Sequence, residues 1–183
     1  MNYELANKLN FEKEFKVNKE YPEITVTSLP FEVISKIKRL YADRRSEMTS
    51  VMQYIYQHFI FGSTEMLNNV AFAMEQISVT EMEHYEMLAK ILVKCGVDPR
   101  NCVYIDNNID ICDYWKASFV NYTRDFINIF EENIKLEQAG INGYKELFSM
   151  TDDENLKEII LRIIEDEKSH IAYFKAVLEL VKK

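Results

Sequence analysis

The chain has 183 residues, of which 48% are hydrophobic, enough for one domain with a sizeable core. Four Gly and three Pro are too few for the turns of an all-β protein, and a net charge of −8 argues against a nucleic-acid partner, which needs clustered Lys and Arg. No apolar run approaches the ~18 residues that span a bilayer, and Cys95, Cys102 and Cys112 form no C-x-x-C pair, so no membrane partner, disulfide framework or zinc ribbon is expected.

The N-terminal stretch MNYELANKLNFEKEFK alternates charged and apolar residues and lacks the apolar core of a signal peptide. With reduced thiols, that points to a cytoplasmic protein. Residues 1–28 read as an irregular, polar segment. Ser28 and Pro30 then mark a helix start, with Glu32 in its first turn. The first helix is expected over about 30–61, with Val33, Ile37, Leu40, Arg44, Glu47, Val51, Tyr54 and His58 on one stripe. Gly62, Ser63 and Thr64 read as a stop and a new N-cap.

A second helix over about 64–95 aligns Leu67, Val70, Met74, Ile77, Glu81, His84, Leu88 and Ile91 and ends at Gly96. The following VDPRNCVYIDNNIDIC has no helical period and reads as a link. A third helix, about 113–149, aligns Phe119, Phe126, Phe130, Ile134, Glu137, Ile141, Tyr144 and Phe148. Thr151 and Glu154 read as a T-x-x-E capping box for a fourth, about 152–181, which aligns Leu156, Ile160, Ile163, Glu167, His170, Phe174, Val177 and Val181. The expected fold is all-α: a four-helix bundle over 29–183, built of two antiparallel helical hairpins joined by a long crossover.

Six polar residues interrupt the apolar stripes where a core Leu would stand: Glu47, then Glu81 and His84, then Glu137, then Glu167 and His170. Two of the chain's three histidines thus follow a glutamate by three residues, in TEMEHYEM and in DEKSH. The heights agree within each hairpin. Glu47 precedes Gly62 by fifteen residues and Glu81 follows it by nineteen, while Glu137 and Glu167 flank Thr151 by fourteen and sixteen. At about 1.5 Å per residue these offsets differ by no more than roughly one turn. Four carboxylates in a core need compensating charge. Two divalent cations supply it, and oxygen with imidazole nitrogen suits Fe, Mn or Zn better than Mg or Ca. One Glu from each of two helices and a Glu-x-x-His from each of the other two is the donor set of dimetal carboxylate bundles.

On E-x(5)-Q-Y (Glu47, Gln53, Tyr54), E-M-x-H (Glu81 to His84), L-E followed by a Tyr (Leu136, Glu137, Tyr144) and D-E-x-x-H (Asp166 to His170), the chain from Tyr41 to Val181 resembles the ferritin-like superfamily, in particular its bacterioferritin and rubrerythrin branches. The resemblance puts the family's metal ligands on the same six residues. It also implies a hydroxyl near the metal carboxylates, on Tyr54 and less clearly on Tyr144. Met82 stands where bacterioferritins ligate haem, although the same motif occurs in non-haem relatives and haem is not expected here. His58 reads as a hydrogen-bonded structural histidine. The C-x-x-C pairs of a rubredoxin module are missing, and Gly140 stands where rubrerythrins place an extra Glu. Gly140 and Gly143 either open space beside the metals or let helices approach. The polar N-terminal segment is similar to that of the manganese-catalase-like branch, which includes spore-coat relatives.

The resemblance implies two Fe ions per chain, or alternatively two Mn. It implies a ferroxidase- or peroxidase-type oxidoreductase acting on O2 or hydrogen peroxide, with an external electron donor if it is a peroxidase, in a homo-oligomer (a dimer or larger). Iron storage in a ferritin-type cage, dimanganese catalase activity and a coat or bundle role with a structural metal are the alternatives.

Overall fold

A computed structural model of the protein describes residues 15–104 and 112–181. Residues 15–30 carry neither helix nor strand and lead into α1 (Phe31–Ala42), with Pro30 at its N-cap and Glu32 in its first turn. The rest of the expected irregular segment, 1–14, lies outside the described residues.

The first expected helix is two helices. The chain breaks after α1, and α2 runs Glu47–Gly62. The cause is local polar chemistry. The Asp43 carbonyl accepts from Ser46 Oγ at 2.6 Å and from Thr49 Oγ1 at 2.9 Å, while Asp43 Oδ1 accepts from the Arg44 N–H. Ser46 caps α2 by accepting from the Thr49 N–H. Asp and Ser compete with the helical ladder for backbone groups, so D-R-R-S ends one helix and starts the next. Arg44 therefore stands exposed in a turn, not on a helical stripe.

A 3-10 turn, Glu65–Leu67, follows, and α3 spans Asn68–Lys94 without a side-chain cap, so Thr64 does not cap it. Gly96 closes α3 at φ 73°, where the Gly96 N–H reaches Val93 O and the Val97 N–H reaches Leu92 O. The link is not structureless. Strands β1 (Cys102–Tyr104) and β2 (Cys112–Tyr114) pair antiparallel, with Val103 opposite Asp113; residues 105–111 lie outside the described residues.

The third expected helix begins later than its pattern implies, as α4 (Phe126–Met150). Phe119 belongs to a 3-10 turn instead. Side chains hold this approach in non-helical form: Asn121 Oδ1 accepts from the Thr123 N–H, Thr123 Oγ1 from the Asp125 N–H, and Asp125 Oδ1 from the Asn128 N–H in the first turn of α4. The last helix, α5, spans Glu154–Val181. Asp153, not Thr151, caps it, accepting from the Leu156 N–H at 2.8 Å, while Thr151 Oγ1 accepts from the Asp153 N–H.

Helices α2 and α3 pack as one hairpin and α4 and α5 as the other. The link crosses the bundle. Near the end of α3, Tyr85 stacks on Tyr41 of α1; α4 starts at the other end, with the Phe126 ring 5.6 Å from that of Phe61. The fold is thus an all-α four-helix bundle with a long crossover, which carries a small β-hairpin. Among the described residues no helix is long and apolar enough to cross a membrane.

Buried apolar residues form two clusters along the bundle. One gathers Ile37, Leu88, Ile91, Ile141, Leu147 and Ile160 among others, and the other Phe61, Val70, Met74, Phe130, Phe174 and Val177. Each fully buried Leu, Ile or Phe contributes roughly 1.5–3 kcal/mol, so the bundle is secured at both levels. The six polar interruptions occupy the gap between them.

Candidate metal centre

Glu47 on α2, Glu81 and His84 on α3, Glu137 on α4, and Glu167 and His170 on α5 are all buried, none more than 5% exposed. They form two overlapping groups: Glu47, Glu81, His84 and Glu167, and Glu81, Glu137, Glu167 and His170. Within each, one donor atom per residue lies within 4.8 Å of all the others. Glu81 and Glu167 belong to both. The structure therefore brings together all six residues singled out in the sequence.

The imidazoles face inward. His84 Nδ1 lies 3.3 Å from Glu167 Oε1, 3.4 Å from Glu81 Oε2 and 3.7 Å from Glu47 Oε2. His170 Nδ1 lies 3.0 Å from Glu81 Oε1 and 3.5 Å from Glu137 Oε2. Both Glu81 oxygens, Glu137 Oε2, His84 Nδ1 and both nitrogens of His170 are buried without a hydrogen-bond partner among the described residues. Buried polar atoms normally have one, so this concentration of orphans fits a site built for cations. Carboxylate oxygen and imidazole nitrogen are the donors that Fe, Mn and Zn accept.

Without a cation, protons hold the cluster. Burial and then the neighbouring Glu81 push the Glu47 carboxyl up to about 8. Burial, with Glu137 and Glu81 next to it, raises Glu167 well above its usual range. Burial also works to raise Glu81, but the imidazoles of His170 and His84 that face it outweigh burial and hold that carboxyl well below the usual range. At both histidines burial opposes the charged ring and the facing carboxylates win, lifting His170 to about 10 and His84 well above its ordinary value. A bound cation would displace those protons.

Two buried tyrosines hold the outer carboxylates. Tyr54 on α2 donates to Glu137 Oε1, and Tyr144 on α4 donates to Glu47 Oε1. Burial, then the nearby carboxylates, raises both phenols well above their ordinary range, so they stay protonated donors. Beside them Asn133 Oδ1 accepts from Gln53 and Gln57 at 2.9 Å each, and its Nδ2 donates to Gln57 Oε1 at 2.7 Å, locking α2 to α4.

Other flagged residues lie apart. Met82 is 41% exposed on α3, away from the cluster. His58 Nδ1 lies 2.9 Å from Ala71 O, a structural contact between α2 and α3. The glycines differ: a Cβ on Gly140 would stand 3.8 Å from Glu167 Oε2, whereas one on Gly143 would meet Leu40 Cδ2 at 2.7 Å. Gly140 also lines a cavity of about 10 Å³ with Glu47, Glu137 and Glu167, and Arg45 and Leu136 line both that cavity and an outer cleft of about 650 Å³.

One contributor carried no role in the sequence beyond its place in D-E-x-x-H. Asp166 is buried, its Oδ2 lies 3.2 Å from His84 Nε2, and it pairs with the buried Arg162 at 2.7 Å. Burial works to raise this carboxyl, but His84, Arg162, the Val17 N–H and Tyr21 prevail and hold it well below the usual range. The available signal was an i,i+4 charge pair placed on a buried face.

The Ferritin-like domain model matches residues 37–183. The chain is 24% identical over 148 residues to a probable manganese catalase of Clostridium acetobutylicum, covering 80% of this chain and 57% of that protein, so it spans little more than half of that relative's length. It is 23% identical over 137 residues to a bacterioferritin of Desulfovibrio desulfuricans, covering 73% of this chain and 69% of the relative. Two solved structures share the fold. KatB, a manganese catalase from Anabaena, superposes with a TM-score of 0.69 at 18% identity, over 94% of this chain and 81% of its own. The Desulfovibrio desulfuricans bacterioferritin, described with a diiron site, gives 0.64 at 22% identity, over 82% and 80%.

Proposed function

This chain belongs to the ferritin-like family, and from that premise we propose that Glu47, Glu81, His84, Glu137, Glu167 and His170 hold two metal ions, iron in the first reading, in an oxidoreductase that acts on hydrogen peroxide or O2. The observation that carries this is the overlap of two four-residue groups through Glu81 and Glu167. Two shared carboxylates, with one Glu and one His proper to each group, form a donor set for a pair of ions. Two divalent cations also balance four carboxylates in charge, which a single ion does not.

Bound ions would supply electrons and open coordination positions for a substrate with an oxygen–oxygen bond. The chain's own residues do the rest. Tyr54 and Tyr144 fix the outer carboxylates by hydrogen bonds. The apolar clusters above and below exclude bulk water. The cavity of about 10 Å³ against Glu47, Glu137 and Glu167 holds about one water at most and has no room for an organic substrate. As a ferroxidase or peroxidase the protein draws electrons from Fe(II) or from an external donor.

A second reading, dimanganese catalase, is favoured by the reach of the structural likeness, which covers 94% of the chain for the manganese catalase and 82% for the bacterioferritin. Elemental analysis of protein expressed with both metals available, followed by peroxide assays, separates the two. About two Fe per chain and peroxide consumption that requires a reductant fit the first. About two Mn and O2 release without reductant fit the second. Folded protein that takes up neither Fe(II) nor Mn(II) sinks both.

A further inference from the structure

The non-helical residues ahead of α1 converge on one side chain behind the cluster. Asp166 accepts from the Val17 N–H and from the Tyr21 hydroxyl, both at 2.7 Å, on the carboxylate that faces His84 Nε2. Arg162, paired with the same carboxylate, donates to the carbonyls of Val17 and Lys19 at 2.8–3.0 Å, and its guanidinium lies 4.5 Å over the Tyr21 ring. The Tyr21 ring stands edge-on to the His84 ring, 6.0 Å between centroids. Glu83, next to His84 in the chain, accepts from Lys16 at 2.5 Å, and its carboxylate lies 3.3 Å from the Tyr21 hydroxyl oxygen.

We propose that residues 15–21 are a latch and that Tyr21 is its positioning residue, fixing the His84 ring through Asp166 so that Nδ1 faces the carboxylate cluster. The chemistry follows from the donor rules. An ionised carboxylate only accepts, so the nitrogen facing Asp166 carries a proton and the other nitrogen is the one available to a cation. Val17, Tyr21 and Arg162 occupy the remaining lone pairs of Asp166 and keep it from turning away. Among the described residues His170 has no such support, because its Nε2 is buried without a hydrogen-bond partner there. The two halves of the centre are therefore unequal: the half with His84 is preorganised, and the half with His170 is not.

The latch stands without a metal; its consequence for metal binding rests on the reading of His84 as a ligand. Two measurements on the full chain keep these apart. In the metal-free protein, nitrogen-edited NMR reads the exchange of the His84 Nε2–H. Tyr21→Phe should speed that exchange roughly tenfold or more, with the His170 ring signals unchanged. Val17→Pro, which removes the segment's other donor to Asp166, should act in the same direction. In a Co(II) titration, Tyr21→Phe should weaken one of two binding events by up to roughly tenfold, the lower end of what losing a ligand's direct hydrogen-bond partner costs, since Tyr21 acts one step further out through Asp166, and leave the second in place. Unchanged His84 exchange in both variants overturns the latch. So does a parallel loss at His84 and His170 that tracks a lower Tm, since that is general loosening. An altered His84 exchange in a protein that binds no Co(II) upholds the latch and removes the metal reading.

Discussion

Tyr54 on α2 hydrogen-bonds Glu137 on α4, across the bundle and not along its own helix. The reciprocal bond joins Tyr144 on α4 to Glu47 on α2. Each carboxylate that belongs to only one of the two groups is thus steadied from the opposite hairpin. The spacing of seven residues between Glu47 and Tyr54, and again between Glu137 and Tyr144, spans about two turns of one helix and sets each hydroxyl level with the facing carboxylate.

Removing either hydroxyl should therefore cost stability without emptying the centre. Tyr54→Phe keeps the ring in the core and leaves Glu137 Oε1 without its donor. A buried acceptor left unsatisfied costs about 1–3 kcal/mol. Urea unfolding of the metal-free variant should show a loss of that order, and Tyr144→Phe a similar one. Both variants should retain two metals per chain by elemental analysis. A change below about 0.5 kcal/mol in both would mean that the crosswise bonds contribute nothing net.

The shared carboxylates should be less replaceable than the unshared ones. Glu81 and Glu167 serve both four-residue groups, whereas Glu47 and Glu137 serve one each. Glu81→Gln should lower occupancy toward zero, and Glu137→Gln toward one ion per chain after desalting. Circular dichroism checks that the bundle persists. Equal losses in the two variants would argue against sharing.

The bundle and its six inward-facing polar groups were legible because both rest on helical period. A Glu or His at a Leu position is visible in the sequence, and the level of Glu47 with Glu81 follows from counting to Gly62. What escaped depends on contacts that period does not report. The break after α1 hangs on the Asp43 carbonyl capturing the hydroxyls of Ser46 and Thr49. The late start of α4 hangs on the relay from Asn121 through Thr123 to Asp125. Asp166 stands in the D-E-x-x-H motif, but its role needs Val17 and Tyr21, almost 150 residues away in the chain. The N-terminal segment read as merely polar for the same reason: its partners are tertiary.

The two helix glycines should respond oppositely to alanine. Ala is roughly 1 kcal/mol better than Gly inside a helix. A Cβ at Gly140 meets Glu167 Oε2 at 3.8 Å, an ordinary contact, so Gly140→Ala should stabilise the protein by up to about that amount. At Gly143 the new Cβ falls 2.7 Å from Leu40 Cδ2, so Leu40 or the α1–α4 contact must shift, and overpacking costs about 1–3 kcal/mol. Gly143→Ala should then be neutral to destabilising. Thermal unfolding of the pair decides, and a Gly143→Ala variant more stable than Gly140→Ala would contradict the packing.

Metal removal should make stability depend on pH in one direction. In the metal-free protein the Glu47 carboxyl is raised from 4.5 to about 8, so holding it in the fold becomes progressively costlier as pH climbs between those values. The His170 ring is raised from 6.5 to about 10; its favourable contribution is complete below 6.5 and is lost as pH rises through 10. The two effects share a sign, and the depressed carboxyl of Glu81 acts only below 4.5. The metal-free Tm should thus fall between about pH 5 and pH 10. In metal-loaded protein the cations have already displaced the protons, which flattens the profile over the same window. The Tm gap between loaded and chelator-treated protein should consequently widen from about pH 6 to pH 9. A gap that narrows over that range would show that protons do not hold the empty cluster together.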